Sequence, residues 1–210
     1  MNTLDHIVNK FGLDATSKSP IEIHNINRTI MVKTLAELGF SVGAEVGVAE
    51  GYHAEVLLKN VPGLHLSCID AWKHYRGYKE YDNLDKMYHE TVLKLMPYNT
   101  AIYREFSMEA VKKFEDNSLD FVYIDAAHDF VNVAMDICEW SKKVKVGGIV
   151  FGHDFKRSKR NIVDVKDVIP AYCYAKNIHP WFILTNDIRD PNFGPDNPGW
   201  MFVRQEGDRP

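Results

Sequence analysis

Glu45-Val46-Gly47-Val48-Ala49-Glu50-Gly51 is the stretch that decides the fold. The apolar segment Val42 to Val48 reads as a buried strand running into it, and Tyr52 to Lys59 leaves it at helical period. Pro62-Gly63 turns the chain. Leu64 to Ile69 is then a second strand, closing on Asp70, nineteen positions after Gly51. Strand, glycine turn, helix and a second strand ending in a carboxylate make half of a nucleotide-binding sheet. In such a unit the ligand sits where the strands end, against backbone N–H groups of the turn.

The alternation continues downstream. Leu84, Met87, Tyr88, Thr91, Val92 and Leu95 recur at helical spacing and stop before Pro97. Thr100 to Phe106 is a third strand, Met108 to Phe114 a short helix and Leu119 to Ile124 a fourth strand. Val131 to Val144 is helical, and Gly147-Gly148 opens a fifth strand, Ile149 to Phe151. Upstream, Leu4, Ile7, Val8 and Phe11 mark one helix, and Ile30, Met31, Leu35 and Leu38 another that Gly39 stops. After residue 155 the pattern changes. Val163 to Ala175 is helical despite Pro170, and Trp181 to Leu184 and Trp200 to Val203 are strands with no helix between them. That pairing predicts an antiparallel hairpin at the sheet edge. The whole predicts a single domain over 1–210, with an N-terminal helical segment (1–41), a ligand-binding core (42–155) and a C-terminal helix and strand pair (156–210).

Composition narrows the function. The chain has 210 residues, 45% hydrophobic and 26% charged, the balance of a soluble globular protein with one full core. A net charge of -4 gives no general attraction to nucleic acid or to an anionic membrane. No apolar run reaches bilayer length, and Met1-Asn2-Thr3-Leu4-Asp5-His6 lacks the basic start of a signal peptide. Cys68, Cys138 and Cys173 are odd in number and widely spaced, which argues for a reducing, cytoplasmic setting. The expected partner is a small molecule, with neither nucleic acid nor membrane; a homo-oligomer is left open.

Taken together, these motifs resemble the class I S-adenosylmethionine-dependent methyltransferases. Glu45-x-Gly47-x-Ala49-x-Gly51 is similar to that family's acidic-Gly-x-Gly-x-Gly turn, with Ala49 for the middle glycine. Asp70 resembles the acid ending its second strand. Asp120-Phe121-Val122-Tyr123-Ile124-Asp125 and Gly147-Gly148-Ile149-Val150-Phe151-Gly152-His153-Asp154 resemble strands four and five of one subgroup. The resemblance implies a Rossmann-like, doubly wound, mostly parallel seven-stranded α/β sheet with an antiparallel edge hairpin. It also implies methyl transfer, by expectation to oxygen of a small molecule or sugar. Glu45, Gly47, Ala49, Gly51, Asp70, Trp72, Ser107 and Asp125 are the expected cofactor contacts. Physically, Gly47 and Gly51 let backbone approach a ligand, Asp70 can accept from two ribose hydroxyls, and an acid-lined turn suits a sulfonium better than a pyrophosphate.

The chemistry is expected at the ends of strands four and five, where Asp125, His128, His153 and Asp154 gather. Two mechanisms stand open. Asp125 and Asp154 are candidate ligands for a divalent metal, magnesium or manganese, that lowers the pKa of an acceptor hydroxyl; His153 departs from the oxygen ligand expected there. Alternatively His153 or His128 is a general base held by Asp125 or Asp154. A helix cap formed by His128 and Asp129 competes with the second role. Lys156-Arg157-Ser158-Lys159-Arg160 is either a solvated loop or a grip on an anionic acceptor. The segments Trp72 to Tyr81 and Ile21 to Arg28 are candidate covers for the cleft. Two further functions remain: a nicotinamide-dependent oxidoreductase, which Ala49-Glu50 disfavours, and a non-catalytic cofactor-binding partner subunit.

Overall fold

Side chains alternate across a sheet buried on both faces, and that alternation sets the architecture. In β5 (Leu119–Ile124), Phe121 and Tyr123 join one apolar layer, while Val122 and Ile124 join the other. The computed structural model describes residues 2–74, 82–158 and 162–208. One layer is built on α1 (Thr3–Phe11), α2 (Arg28–Glu37), α3 (Tyr52–Asn60) and α4 (Leu84–Leu95). The opposite layer is built on α5 (Ser107–Ala110), α6 (Phe130–Lys143) and α7 (Val165–Lys176). Asparagines stop the helices from fraying at their starts: Asn2, Asn27 and Asn83 each accept from a backbone N–H in the first turn of α1, α2 and α4.

The remaining strands are β1 (Ile21–Ile23), β2 (Val42–Val46), β3 (His65–Asp70), β4 (Thr100–Arg104), β6 (Val144–Gly152), β7 (Trp181–Leu184) and β8 (Gly199–Val203). Their order is β1-β7-β8-β6-β5-β2-β3-β4. β8 pairs antiparallel with both β6 and β7, and every other pairing is parallel. The doubly wound α/β fold is therefore as expected, with one strand more than the sequence suggested. Ile21–Ile23 lies parallel to β7, outside the hairpin, rather than over the cleft. Three residues carry too little periodicity to announce a strand.

Gly147-Gly148 has a local task. Between Leu119↔Val144 and Phe121↔Ile149 the register of β5 and β6 shifts, and β6 absorbs the extra residues at the glycines. A Cβ on Gly148 would lie 2.5 Å from the Asp120 carbonyl oxygen. Asp120 in turn binds the start of β2, accepting from the N–H groups of Ser41 (2.7 Å) and Val42 (2.9 Å). These contacts tie together the starts of β2 and β5 and the first half of β6.

Gly43 in β2 leaves room for the Phe121 ring, which a Cβ there would overlap. Gly43→Ala is therefore expected to cost about 1–3 kcal/mol of stability by overpacking, read as a lower urea midpoint at unchanged m-value. Wild-type stability in that variant would show that the ring moves freely.

Candidate active site

β2 and β5 end side by side, and the turn after β2 is threaded between them. Gly47 donates to the Ile69 carbonyl (2.9 Å), and Asp125 donates its N–H to the Val46 carbonyl (2.8 Å). Gly47 has φ 91°, and a Cβ there would overlap the Asp125 carbonyl. Glycine is thus required both by conformation and by space. Ala49 follows at φ 46°, a left-handed position that costs an alanine some strain. Asp70, at the end of β3, holds this turn. One carboxylate oxygen accepts from Val48 N–H (3.1 Å) and Ala49 N–H (2.9 Å), and the other from Trp72 N–H (2.7 Å). The Trp72 indole N–H and the Thr91 hydroxyl both donate to the Ala49 carbonyl at 2.9 Å. The turn borders a cavity of about 730 Å³.

Beside the turn stand the polar ends of β5 and β6. His128 Nε2 lies 3.3 Å from Asp125 Oδ1 and 3.2 Å from Asp154 Oδ2. His153 Nδ1 faces the same two carboxylates at 3.7 and 3.5 Å, and its Nε2 is 2.8 Å from Asp196 Oδ1. Burial opposes a charged His153, but the bond to Asp196 and the charges of Asp125, Asp196 and Asp154 outweigh it and raise its pKa. For Asp125 burial likewise works against ionisation. The His128 bond and the charges of His153, His128 and Arg28 win, holding its pKa at about 2. Asp154 sits at φ 54°, strained where it meets the cavity. Asp125, His128 and Asp154 can bring one donor atom each within 4.8 Å of the others, so the set is of a size and chemistry to hold a divalent ion.

A third wall comes from the β7–β8 connection and the start of α2. Buried Asp190 accepts from Thr29 N–H (2.8 Å) and from the Thr29 hydroxyl (2.8 Å), and from the N–H groups of Asn192 and Phe193. So clasped, the loop delivers Phe193, Asp196 and Asn197. The Arg28 guanidinium stacks 3.9 Å above the Phe193 ring and donates from Nε to Asp196 (2.6 Å). Asn197 donates to Asp154 Oδ1 at 2.8 Å.

Beneath the turn, Glu45 and His53 are buried, at 1% and 6% exposure. Burial raises the pKa of Glu45 against the opposing influence of His53. At the far end of the cavity the Trp140 indole N–H donates to Ser107 Oγ (2.8 Å), and Ser107 donates to buried Asp136. Burial pushes Asp136 up to about 7, with nearby Asp129 adding to it and the Ser107 bond opposing.

Comparison with known proteins fits this geometry. A family model described as a methyltransferase domain matches residues 44–155, from β2 to just beyond β6. The chain belongs to this methyltransferase family. It is thus a methyltransferase of the S-adenosylmethionine-dependent class. No curated protein matches it. Among solved structures it is similar to an O-methyltransferase from Bacillus cereus in complex with SAH. That match has 16% identity and a TM-score of 0.61, over 96% of this chain and 90% of that one. It is similar too to the O-methyltransferase TomG from Streptomyces achromogenes in complex with SAM (13%, TM-score 0.60, 96% and 89%). The N-methyltransferase NodS from Bradyrhizobium japonicum also matches (14%, TM-score 0.58, 85% and 95%). At these identities the structures share the fold. Nothing in the comparisons supports the oxidoreductase or the non-catalytic subunit.

All the sequence-predicted residues of this methyltransferase — Glu45, Gly47, Ala49, Gly51, Asp70, Trp72, Ser107, Asp125, His128, His153 and Asp154 — line the cavity or, for Gly51, abut it as the cap of α3. Some stand differently from expectation. Glu45 lies within β2, as its place in the strand Val42 to Val48 predicts, and is buried there. Asp70 is already bonded to three amides, which leaves only its remaining lone pairs for a ribose. Asp129 caps α6, accepting from Asn132 N–H, Asp164 accepts from Phe130 N–H, and His128 lines the cavity instead. Of the basic run, Lys156 lies 3.1 Å from Asp154 and Arg157 pairs with Asp167; Lys159 and Arg160 fall outside the described residues. Of Trp72 to Tyr81, Trp72 and Lys73 line the cavity, and 75–81 are outside the described residues. His53, Asp136, Phe193, Asp196 and Asn197 escaped the sequence reading, and Arg28 entered it only as the end of the candidate cover Ile21 to Arg28. No motif carries them; only their polarity within apolar or loop segments hinted at a role.

Burial pushes the Asp136 carboxyl from its ordinary 3.8 up to about 7 in the folded protein. The folded state therefore holds an extra proton between those values, and stability falls as pH rises from about 4 to about 7. Asp136→Asn, which can still accept from Ser107, removes that penalty. In urea unfolding the variant is expected to match wild type near pH 4 and to exceed it by about 1–3 kcal/mol near pH 8. A constant difference across that range would refute the buried-acid account.

Proposed function

We propose that the protein transfers a methyl group from S-adenosylmethionine to a hydroxyl oxygen of a small molecule, a sugar or an anionic metabolite among the candidates. The observation that carries this reading is the group of two imidazoles and two carboxylates, His128, His153, Asp125 and Asp154, lining the same cavity as the glycine turn. Nitrogen acceptors need less help in losing a proton, whereas a hydroxyl needs a base as it becomes the ether oxygen.

The donor supplies an electrophilic methyl on a positively charged sulfur. Glu45, Gly47, Ala49, Gly51, Asp70, Trp72, Ser107 and Asp125 surround it in this reading, Asp70 through the acceptor capacity its amide bonds leave free. His128 takes the acceptor proton on its imidazole, and Asp125 and Asp154, both facing Nε2, stabilise the imidazolium that results. As the oxygen lone pair forms the new C–O bond, the S–C pair returns to sulfur. His153, oriented by Asp196, holds the two carboxylates in place. The set Asp125, His128 and Asp154 favours a second reading in which a divalent ion binds the acceptor oxygen and lowers its pKa. With an imidazole in the set, manganese suits it better than magnesium. The free thiols of Cys68, Cys138 and Cys173 suit a cytoplasmic setting.

With labelled donor and a panel of catechols, sugars and sugar phosphates, methyl is expected in an ether product. His128→Ala should lower kcat about 100-fold or more, with SAH affinity changed only a few-fold, whereas Asp125→Asn, at a residue that also borders the donor, should lower both. Label found only on nitrogen or sulfur acceptors would defeat the proposal. Activity lost to EDTA and restored by manganese, with manganese binding lost in Asp154→Ala, would choose the metal reading; indifference to EDTA would choose the base.

A further inference from the structure

Arg28 lines the cavity beside His153 and Asn197 with its side chain 19% exposed, and Asp196 lies behind it at 6%. The guanidinium is fixed there. Nε donates to Asp196 Oδ2 at 2.6 Å, Nη2 donates to Asp196 Oδ1 at 3.3 Å, and the group sits over the Phe193 ring. Thr29, the next residue, is clasped by Asp190, so Arg28 and both of its partners are tied to one anchor. The side chain is thus ordered before an acceptor arrives.

A guanidinium carries five N–H donors. Asp196 takes one from Nε and one from Nη2, and Nη1 has no hydrogen-bond partner among the described residues. Asp196 also divides its charge: Oδ1 is shared with His153 Nε2 (2.8 Å) and the Asn197 N–H (3.0 Å). The other carboxylates of this end have cations of their own. Imidazoles face Asp125 and Asp154, and Lys156 reaches Asp154 at 3.1 Å. Arg28 therefore presents a permanent charge with donors to spare to the cavity. Such a planar fork matches a carboxylate or a phosphate. A neutral hydroxyl would use one donor and leave the charge unanswered. An apolar ring gains little there, because Arg28 already covers one face of Phe193.

We propose that Arg28 grips an anionic group, carboxylate or phosphate, on the methyl acceptor, so that the substrate is a hydroxy acid or a phosphorylated alcohol. The inference rests on the hydroxyl-acceptor reading above and names a class within it. Arg28 is then a specificity residue, and Asp196 a positioning residue behind it. The basic run after β6 is not called on: Lys156 and Arg157 are paired with Asp154 and Asp167.

Matched acceptors test it on the full chain: catechol against 3,4-dihydroxybenzoate, and glucose against glucose 6-phosphate. In calorimetric titrations of the SAH-loaded wild type, an anionic member is expected to bind about tenfold or more tighter than its neutral twin. The pair that shows the gap tells carboxylate from phosphate. With labelled donor, kcat/KM should follow the same order, chiefly through KM. Arg28→Gln should bring the ratio within each responsive pair to about threefold or less. Arg28→Lys keeps the charge without the fork and should fall between. An Arg28 that only holds the loop would weaken both members alike and leave the ratio unchanged, and that result overturns the assignment. So does a wild type that binds neither anionic member, or binds them no better than their twins. Should Arg28→Gln not fold, an unchanged ratio in Arg28→Lys overturns it equally. Ether products formed without preference for the anion defeat the Arg28 assignment alone. Preferential binding of the anion, with label reaching only nitrogen or sulfur acceptors, defeats the hydroxyl reading instead.

Discussion

Three backbone N–H groups converge on the carboxylate of Asp70, and the cavity depends on that convergence. The turn after β2 has Gly47 and Ala49 both at positive φ, a conformation the chain does not hold without help. Val48 and Ala49 are held through one oxygen of Asp70 and Trp72 through the other. The same residue therefore fixes the floor of the cleft and the start of the segment that borders it. Burial disfavours the charged form of Asp70, and the three amides partly offset that. The turn and the acid need each other: neither the strained backbone nor the buried carboxylate would be tolerated alone.

Across the cavity, charge is balanced rather than accumulated. Asp125, Asp154 and Asp196 face Arg28, His153, His128 and Lys156 at ion-pair distances. Such a network stays ordered before any ligand arrives and spares the protein the cost of a bare acidic pocket. It also means that a proton or a cation entering the site redistributes existing pairings. This is the environment in which a base can gain charge without large reorganisation.

Much of this was legible in sequence, and the boundary of legibility has a physical cause. Gly47, Gly51, Asp70 and Asp125 are tied to strand ends, so period and spacing locate them; β5 and β7 run where their apolar runs predict. The strand Ile21–Ile23 was missed because it is short. His53 was missed because a polar residue in the first turn of a helix reads as surface until the helix is docked. Asp196 reaches His153 across 43 residues of sequence, and Arg28 reaches Asp196 across 168. No local pattern encodes a pairing at that separation. Glu45 was placed in the first strand, but nothing local announced that His53 would be buried beside it.

The clasp of Asp190 on Thr29 carries a consequence for how such enzymes diversify. The outer wall of the pocket is composite: its aromatic face and its acid come from the β7–β8 connection, but its guanidinium and its anchor come from the first turn of α2. A graft of residues 190–197 from a relative would arrive without its socket, leaving Arg28 unpaired and Thr29 unbound. Remodelling this wall therefore takes two matched changes, one near position 28 and one in the distant connection.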